Sequence, residues 1–268
     1  ACTADYVYNA VETPEDKGLE LNLEVVGDFD VRGFISFGGK DHAGKSVLTV
    51  GGNFTMTTGD AQVALLAGEE GGTFTVGGNF VVTLGAKLIL ISHSVTGGSF
   101  RIDVGGDASV IEGSGVSAAG YGYAYPYGPG CFHPIFDTLN EEGTSGAWHE
   151  GEGGSYGGVG GTYEKDSRTY GGTYGFALAP CQAGSPGEER TTKPTGPRGG
   201  GLIRIHAHGD FTLDGSLSAK GGEVSYGNGA GGGSGGGVWI TCRDFKTGSR
   251  AAVDVSGGSG RSSYGSGG

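Results

Sequence analysis

Six carboxylates crowd one stretch of the chain: Glu141, Glu142, Glu150, Glu152, Glu164 and Asp166. Two acids about 5 to 9.5 Å apart can hydrolyse a glycosidic bond, one protonating the leaving group while the other attacks or activates water. No spacing among these six singles out such a pair. Of the histidines His42, His93, His133, His149, His206 and His208, only the last two are sequence neighbours. At i and i+2 on a strand their rings point the same way and could chelate a metal completed from an adjacent strand. Arg204 and Arg243 would repel that cation, so a plain surface pair is the expectation and no cofactor is assigned. Calcium suits the acidic positions better than zinc, yet the calcium-binding G-G-x-G-x-D-x-U-x nonapeptide does not recur. Asn53-Phe54-Thr55 is the only N-x-S/T sequon, which makes Asn53 a glycan acceptor in a secreted eukaryotic chain, or simply a turn residue.

Cys2, Cys131, Cys181 and Cys242 have no C-x-x-C spacing, which removes the common zinc and thioredoxin-like readings. A Cys131–Cys181 disulfide would close the stretch between them and restrict the unfolded chain by about 3 to 5 kcal/mol. Cys242 falls on an apolar strand face and reads as an inward thiol, while Cys2 could pair with any of the others or with a neighbouring chain. The formal net charge of -12 argues against nucleic acid, which needs a basic surface to displace counterions, and against anionic membrane surfaces. It would also repel a polyanionic sugar at long range, so a lyase acting on uronates is disfavoured. No apolar run approaches the roughly 20 residues of a membrane-spanning helix.

The elements that must position these residues are written in a repeat. EVVGDFDV, LTVGGNFTM, FTVGGNFVV and IDVGGDASV align at Asp28, Asn53, Asn79 and Asp107, at intervals of 25, 26 and 28 residues. HAHGDFTL at Asp210 and TCRDFKT at Asp244 continue the series. Each unit reads as a short strand of alternating apolar residues, a glycine–Asx turn, a second strand and a glycine-rich connection. Glycine takes positive φ without steric cost and Asx can bond its own backbone, so the pair makes a corner. Strand, corner and strand every 25 or so residues predict one coil of a right-handed parallel β-helix, an all-β solenoid. Six coils at about 4.8 Å each would rise about 29 Å. Ile203, Ile205 and Ala207 in one coil, and Val238, Ile240 and Cys242 in the next, are assigned inward; Arg204, His206, His208, Trp239, Thr241 and Arg243 fall on the opposite, solvated face.

Glycine supplies 62 of 268 residues, against roughly 7% in an average protein. With only 8 prolines, no persistent Gly-X-Y triplet and recurrent Val, Ile, Leu and Phe, neither collagen nor a disordered linker fits. Residues 121–199 break the period and carry Tyr121, Tyr123, Tyr125, Tyr127, Tyr156, Tyr163, Tyr170 and Tyr174 among glycines. Long loops of this kind are usually functional or held by their own contacts. The tyrosines read first as lids over the apolar core and second as sugar-stacking platforms. The organisation expected is a single domain: an N-terminal segment 1–20, first coils 21–120, the insertion 121–199 and last coils 200–268. With no initiator methionine, and with GSGRSSYGSGG following directly on a coil, it is expected to be part of a longer chain or an assembly whose neighbours cover the coil ends.

The stretch GGSYGGVGGTY, then YGFALAPCQAGSPG, GGGLIRIHAHGDFTLDGSLSAKGG and GGGSGGGVWITC, over about residues 153–258, resembles large glycine-rich cell-surface β-helix proteins of plants, protists and bacteria. Its most specific parts are Tyr174 to Ser185 and the coil ending at Gly222. The resemblance implies an extracellular or cell-surface location and a structural or adhesive role, and carries over no catalytic residue. The expectation is therefore a non-enzymatic subunit of a surface fibre, appendage or matrix that self-associates through its coil ends and insertion. The alternatives are a carbohydrate-binding or polysaccharide-degrading module, and a cell adhesin.

Overall fold

The computed structural model describes residues 21–131, 153–160, 172–188, 196–224 and 231–260. They form six stacked coils of three short strands each. The coils are β1 (Leu21–Val25), β2 (Phe29–Val31) and β3 (Phe34–Phe37); β4 (Ser46–Val50), β5 (Phe54–Met56) and β6 (Gln62–Leu66); and β7 (Gly72–Val76), β8 (Phe80–Val82) and β9 (Lys87–Ile91). They continue with β10 (Phe100–Val104), β11 (Ala108–Val110) and β12 (Gly115–Ser117); β13 (Leu202–Ala207), β14 (Phe211–Leu213) and β15 (Ser216–Ser218); and β16 (Gly237–Thr241), β17 (Phe245–Thr247) and β18 (Ala252–Asp254). Equivalent strands pair in parallel into three six-stranded sheets, ordered β1-β4-β7-β10-β13-β16, β2-β5-β8-β11-β14-β17 and β3-β6-β9-β12-β15-β18. This is a parallel β-helix, and the coils it shows are the six aligned by their corner Asx residues. The repeat read two strands per coil; the third was missed because β12, β15 and β18 are three residues long with one inward apolar residue apiece.

Register is kept without slip, so like positions form columns along the axis. Leu23, Leu48, Phe74, Ile102, Ile205 and Ile240 make one inward column, Phe29, Phe54, Phe80, Ala108, Phe211 and Phe245 a second, and Ile35, Val63, Leu88, Val116, Leu217 and Val253 a third. Alternation along each strand fixes which residues these are, because a one-residue slip would turn every apolar side chain outward. Phe54 stacks on Phe80 at 5.4 Å and meets Phe74 edge-on at 5.0 Å, and all three are fully buried. Ile203, Ile205 and Ala207 are buried as the sequence requires, while Val238, Ile240 and Cys242 are only partly buried, no strand among the described residues pairing beyond theirs.

Between β12 and β13 the chain leaves the helix and returns in register, Ile102 opposite Ile205, with the Gly201 amide closing the excursion on the Ala118 carbonyl at 2.7 Å. Its glycine-rich parts, together with the connection between β15 and β16 and the segment after β18, build a second body beside the third corner. Here hydrogen bonds recur every three residues instead of every two. Gly231 and Ser234 donate to Glu188 and Ser185; Gly233 and Gly236 donate to Gly222 and Ala219; Gly184 and Gly187 donate to Gly200 and Pro197. A three-residue period is that of the polyproline-II helix, whose N–H groups project around the axis in three directions. The 231–237 segment accordingly bonds segments on several sides at once, including Gly154, Gly200, Gly222 and Gly258. Such bonding brings backbones closer than side chains allow: a Cβ on Gly236 would overlap the Gly201 carbonyl, and one on Gly200 the Ala219 carbonyl. Arg198 pins this body to the β-helix, its guanidinium donating to the carbonyls of Gly122 and of Ser92, the latter at 2.9 Å.

Gly236→Ala is expected to destabilise the chain by about 1 to 3 kcal/mol or more, as overpacking against rigid backbone does. Gly158→Ala, where an added Cβ meets nothing within 4 Å, should be close to neutral. Urea denaturation midpoints of the two variants check the contrast, with an unchanged slope showing that stability rather than compactness has moved.

Candidate functional site

The corner residues Asp28, Asn53, Asn79, Asp107 and Asp210 do stack, but not by the bonding the sequence suggested. In the first four, the side-chain Oδ1 accepts the backbone N–H of the corner residue in the next coil: Asp28 from Asn53 at 2.7 Å, Asn53 from Asn79 at 2.8 Å, Asn79 from Asp107 at 2.9 Å and Asp107 from Asp210 at 2.8 Å. The expected Asx turn onto the residue's own backbone is thus replaced by an intercoil ladder. Parallel stacking at about 4.8 Å brings the amide above within reach, and the donor is one that the strand ladders on either side leave unused. Asn53 has both amide atoms committed, its Nδ2 donating to Asp28 at 3.1 Å, so the sequon asparagine serves as a turn residue and a ladder rung. Asp28, Asp30, Asn53, Thr55, Thr57 and Asn79 border an open groove of about 790 Å³ at this corner. Of its two acids, Asp28 belongs to the ladder and Asp30 is bonded by Arg32 at 2.8 Å and Thr55 at 2.9 Å. Partial burial works against its charge, but those bonds hold its pKa below the usual carboxylate range.

The ladder changes character at the last coil. Asp210 Oδ1 is taken by Arg243 (Nη2 at 2.7 Å) and Oδ2 by Lys246 at 2.5 Å, while Arg250 bonds Asp214 at 2.6 Å. Asp244, the sixth corner residue, lies 3.8 Å from the Arg243 Nε. The Lys246 and Arg243 bonds lower the Asp210 pKa, and Arg250 lowers that of Asp214. Above these ion pairs the apolar columns end uncovered. Phe245 stacks on Phe211 at 5.6 Å yet is 50% exposed, and Val253 is 55% exposed, where their column-mates Phe211 and Leu217 are fully buried. Among the described residues no strand pairs with the outer edges of β16, β17 and β18. Residues of matched polarity, uncovered apolar columns and free backbone edges thus meet at one end of the stack.

The outer face of the β10, β13 and β16 sheet carries the expected solvated residues. His206 bonds Thr241 at 2.5 Å, packs edge-on to His208 at 4.8 Å, and Arg204 lies over Trp239 at 5.4 Å. Among the described residues no group of three His, Cys, Asp or Glu side chains is arranged to hold a metal ion. His42 and His93 are engaged locally, with the Gly39 carbonyl and Ser46, and with Thr96. Glu141, Glu142, Glu150, Glu152, Glu164, Asp166, His133, His149, Tyr163, Tyr170 and Cys2 lie outside the described residues.

Within the insertion none of the described tyrosines joins the apolar core cluster of the β-helix, and Tyr127 is exposed. Tyr123 is buried, and Tyr174 donates to the Ala183 carbonyl at 2.6 Å and packs edge-on to Tyr156 at 4.9 Å. Burial raises the pKa of Tyr123, Tyr125, Tyr156 and Tyr174. The expected Cys131–Cys181 disulfide is not formed: Cys131 is buried beside Tyr174, whereas Cys181 is exposed near Tyr156. Burial, with the nearby Glu188, pushes the Cys131 thiol up to about 12, which disfavours the thiolate that disulfide exchange needs. Comparison with known protein families, with characterised proteins and with solved structures found no match.

Acid should loosen the last coil first. Asp210 and Asp214 titrate below the ordinary carboxylate value of about 3.9, so their contribution is complete above that pH and is lost as pH falls through the lower folded values. The protection factors of residues 237–254, exchange rates taken relative to the intrinsic amide rate at each pH, are expected to hold from neutral pH and to fall in the wild type only as the pH drops below about 4. The Asp210→Asn/Asp214→Asn variant should exchange faster already at neutral pH and show a flatter pH dependence.

Proposed function

We propose that this chain is a non-enzymatic structural unit of an extracellular or cell-surface fibre or matrix, joined to its neighbours through the ends of the coil stack. The observation that carries the reading is the uncovered last coil, where columns buried in the interior coils reach solvent at Phe245, Val253 and the partly exposed Ile240. Exposed strand edges are templates for pairing with another chain, and soluble folds usually blunt or cover them. An apolar end framed by Arg243, Lys246 and Arg250 is suited to a specific partner surface. The resemblance to glycine-rich surface proteins supports the same location and role. The carbohydrate-degrading alternative draws its acids from 141–166, outside the described residues, and the described acids Asp30, Asp210 and Asp214 are tied to basic neighbours in the ways given above.

Sedimentation velocity over a concentration series, with negative-stain electron microscopy of the same samples, should show concentration-dependent oligomers growing along one axis. Dispersed particles of single-chain mass throughout would remove this reading. Product formation from acidic or neutral polysaccharides in a reducing-end or unsaturated-product assay would replace it with the enzymatic one, and selective retention on a glycan array with a binding module.

A further inference from the structure

The coil that β13 opens has a coil on either side of it, and its outer face carries charge that nothing around it balances. Arg204, His206 and His208 follow one another at every second position. The first two lie on β13 and the third just beyond it, where the His208 amide continues the ladder by donating to the Val104 carbonyl at 2.9 Å. Alternation along a strand puts all three on one face. The carboxylates nearest to them are committed elsewhere: Asp103, opposite His206 in register, is bonded by Arg101 at 2.7 Å, and Asp210 by Arg243 and Lys246. Among the described residues no carboxylate forms an ion pair with Arg204, His206 or His208. Arg204 also sits directly opposite Arg101, and like charges in facing positions on paired strands are destabilising. A chain of net charge -12 that gathers unpaired bases in one row departs from the local rule, and such departures concentrate at functional positions.

We infer that this row is a docking surface for an extended acidic segment of a partner polypeptide, whose carboxylates at alternate positions meet Arg204, His206 and His208. Spacing and charge both select that occupant. A strand advances about 3.3 Å per residue, so alternate side chains stand about 6.6 Å apart in the row and equally in an extended peptide laid along β13. Carboxylates at positions i, i+2 and i+4 therefore reach the three bases with no change of either backbone. The bases are also held ready. Arg204 lies over the Trp239 ring at 5.4 Å, and His206 is bonded to Thr241 at 2.5 Å and packs edge-on to His208 at 4.8 Å, so little side-chain freedom remains to be lost on binding. A guanidinium stacked flat on an indole keeps its N–H edges free and can take a carboxylate through two parallel bonds. The same stacking counts against a sugar, because the indole face on which a pyranose would sit is already covered by Arg204. The row lies on the flank of an interior coil, so this contact goes beyond the structural reading and does not depend on the coil ends.

Fluorescence anisotropy of a labelled synthetic peptide of alternating Glu and Thr, titrated with the full chain, tests the row. A peptide of the same composition with its glutamates in one block, and polygalacturonate as competitor, are measured alongside. The variants are Arg204→Gln, the pair His206→Gln/His208→Gln, their combination, and Lys87→Gln, which removes one exposed base from β9 in a different sheet; circular dichroism confirms each fold. The alternating peptide is expected to bind, more weakly as salt is raised. Arg204→Gln and the histidine pair should each weaken it by roughly three- to fivefold and together by about tenfold or more, with Lys87→Gln unchanged. Arg204→Lys, which keeps the charge but loses the planar fork, should fall between wild type and Arg204→Gln. Absence of binding, equal binding of the block peptide, or an equal loss with Lys87→Gln would overturn the inference. Binding of polygalacturonate in place of the peptide would also overturn it and assign the face to an acidic glycan. Failure here leaves assembly through the coil ends standing, and a wild type that sediments as a monomer leaves the peptide titration unaffected, so the two readings fail separately.

Discussion

Everything in this molecule follows from one requirement: each turn of the chain must come back directly beneath the turn before it. Parallel pairing holds successive coils about 4.8 Å apart and leaves no freedom to slide, because a slip of one residue would expose the whole apolar face. Once register is locked, like residues stack on like, and columns rather than individual contacts become the units of stability. The phenylalanine column and the Asx ladder are two expressions of the same geometry. One is built from inward side chains that exclude water, the other from corner side chains that capture the amide of the coil above.

Glycine serves two separate ends. At the corners it lets the backbone of one coil lie against that of the next, as Gly77 lies against Gly51. In the body beside the third corner it does something the strands cannot, since a segment with a three-residue period can bond neighbours in several directions while a strand bonds only two. The cost is that little side-chain volume can be tolerated there. Compact packing is reached through backbone hydrogen bonds, Ser185 and Ser234 adding a buried pair in which the Ser234 hydroxyl accepts the Ser185 amide at 2.8 Å.

These distinctions explain what could be read from the chain and what could not. The six coils, and the inward faces of the last two, were legible because an alternating apolar pattern and a repeated Asx mark the same positions each time. The third strand was not, since the Gly-Val-Ser, Ser-Leu-Ser and Ala-Val-Asp segments each offer one inward residue and no alternation to count. The Asx bonding partner was misassigned because sequence shows only local neighbours, whereas Asp28 bonds a residue 25 positions away. The glycine body was invisible for a related reason: its order lies in the period of its backbone bonds, and a run such as Gly231 to Gly237 carries almost no side-chain pattern from which a period could be taken. The cysteine pairing failed because membership of one insertion does not bring two residues together: Cys131 is buried while Cys181 is exposed.

A stack held by nearest-neighbour contacts is weakest where a neighbour is missing. The last coil shows how far polar contacts can make up the difference. Arg243, Lys246 and Arg250 fasten it to Asp210 and Asp214, but these pairs are exposed, and exposed pairs contribute little in water. Its hold on the stack therefore rests on three parallel ladders with apolar side chains covered on one face only. The interior coils gain twice from each column residue, once above and once below, and the last coil gains once. The energetic shortfall is confined to the surface that another coil of matching register would cover, so a device that stabilises the last coil and a device that joins it to a neighbour would be physically the same.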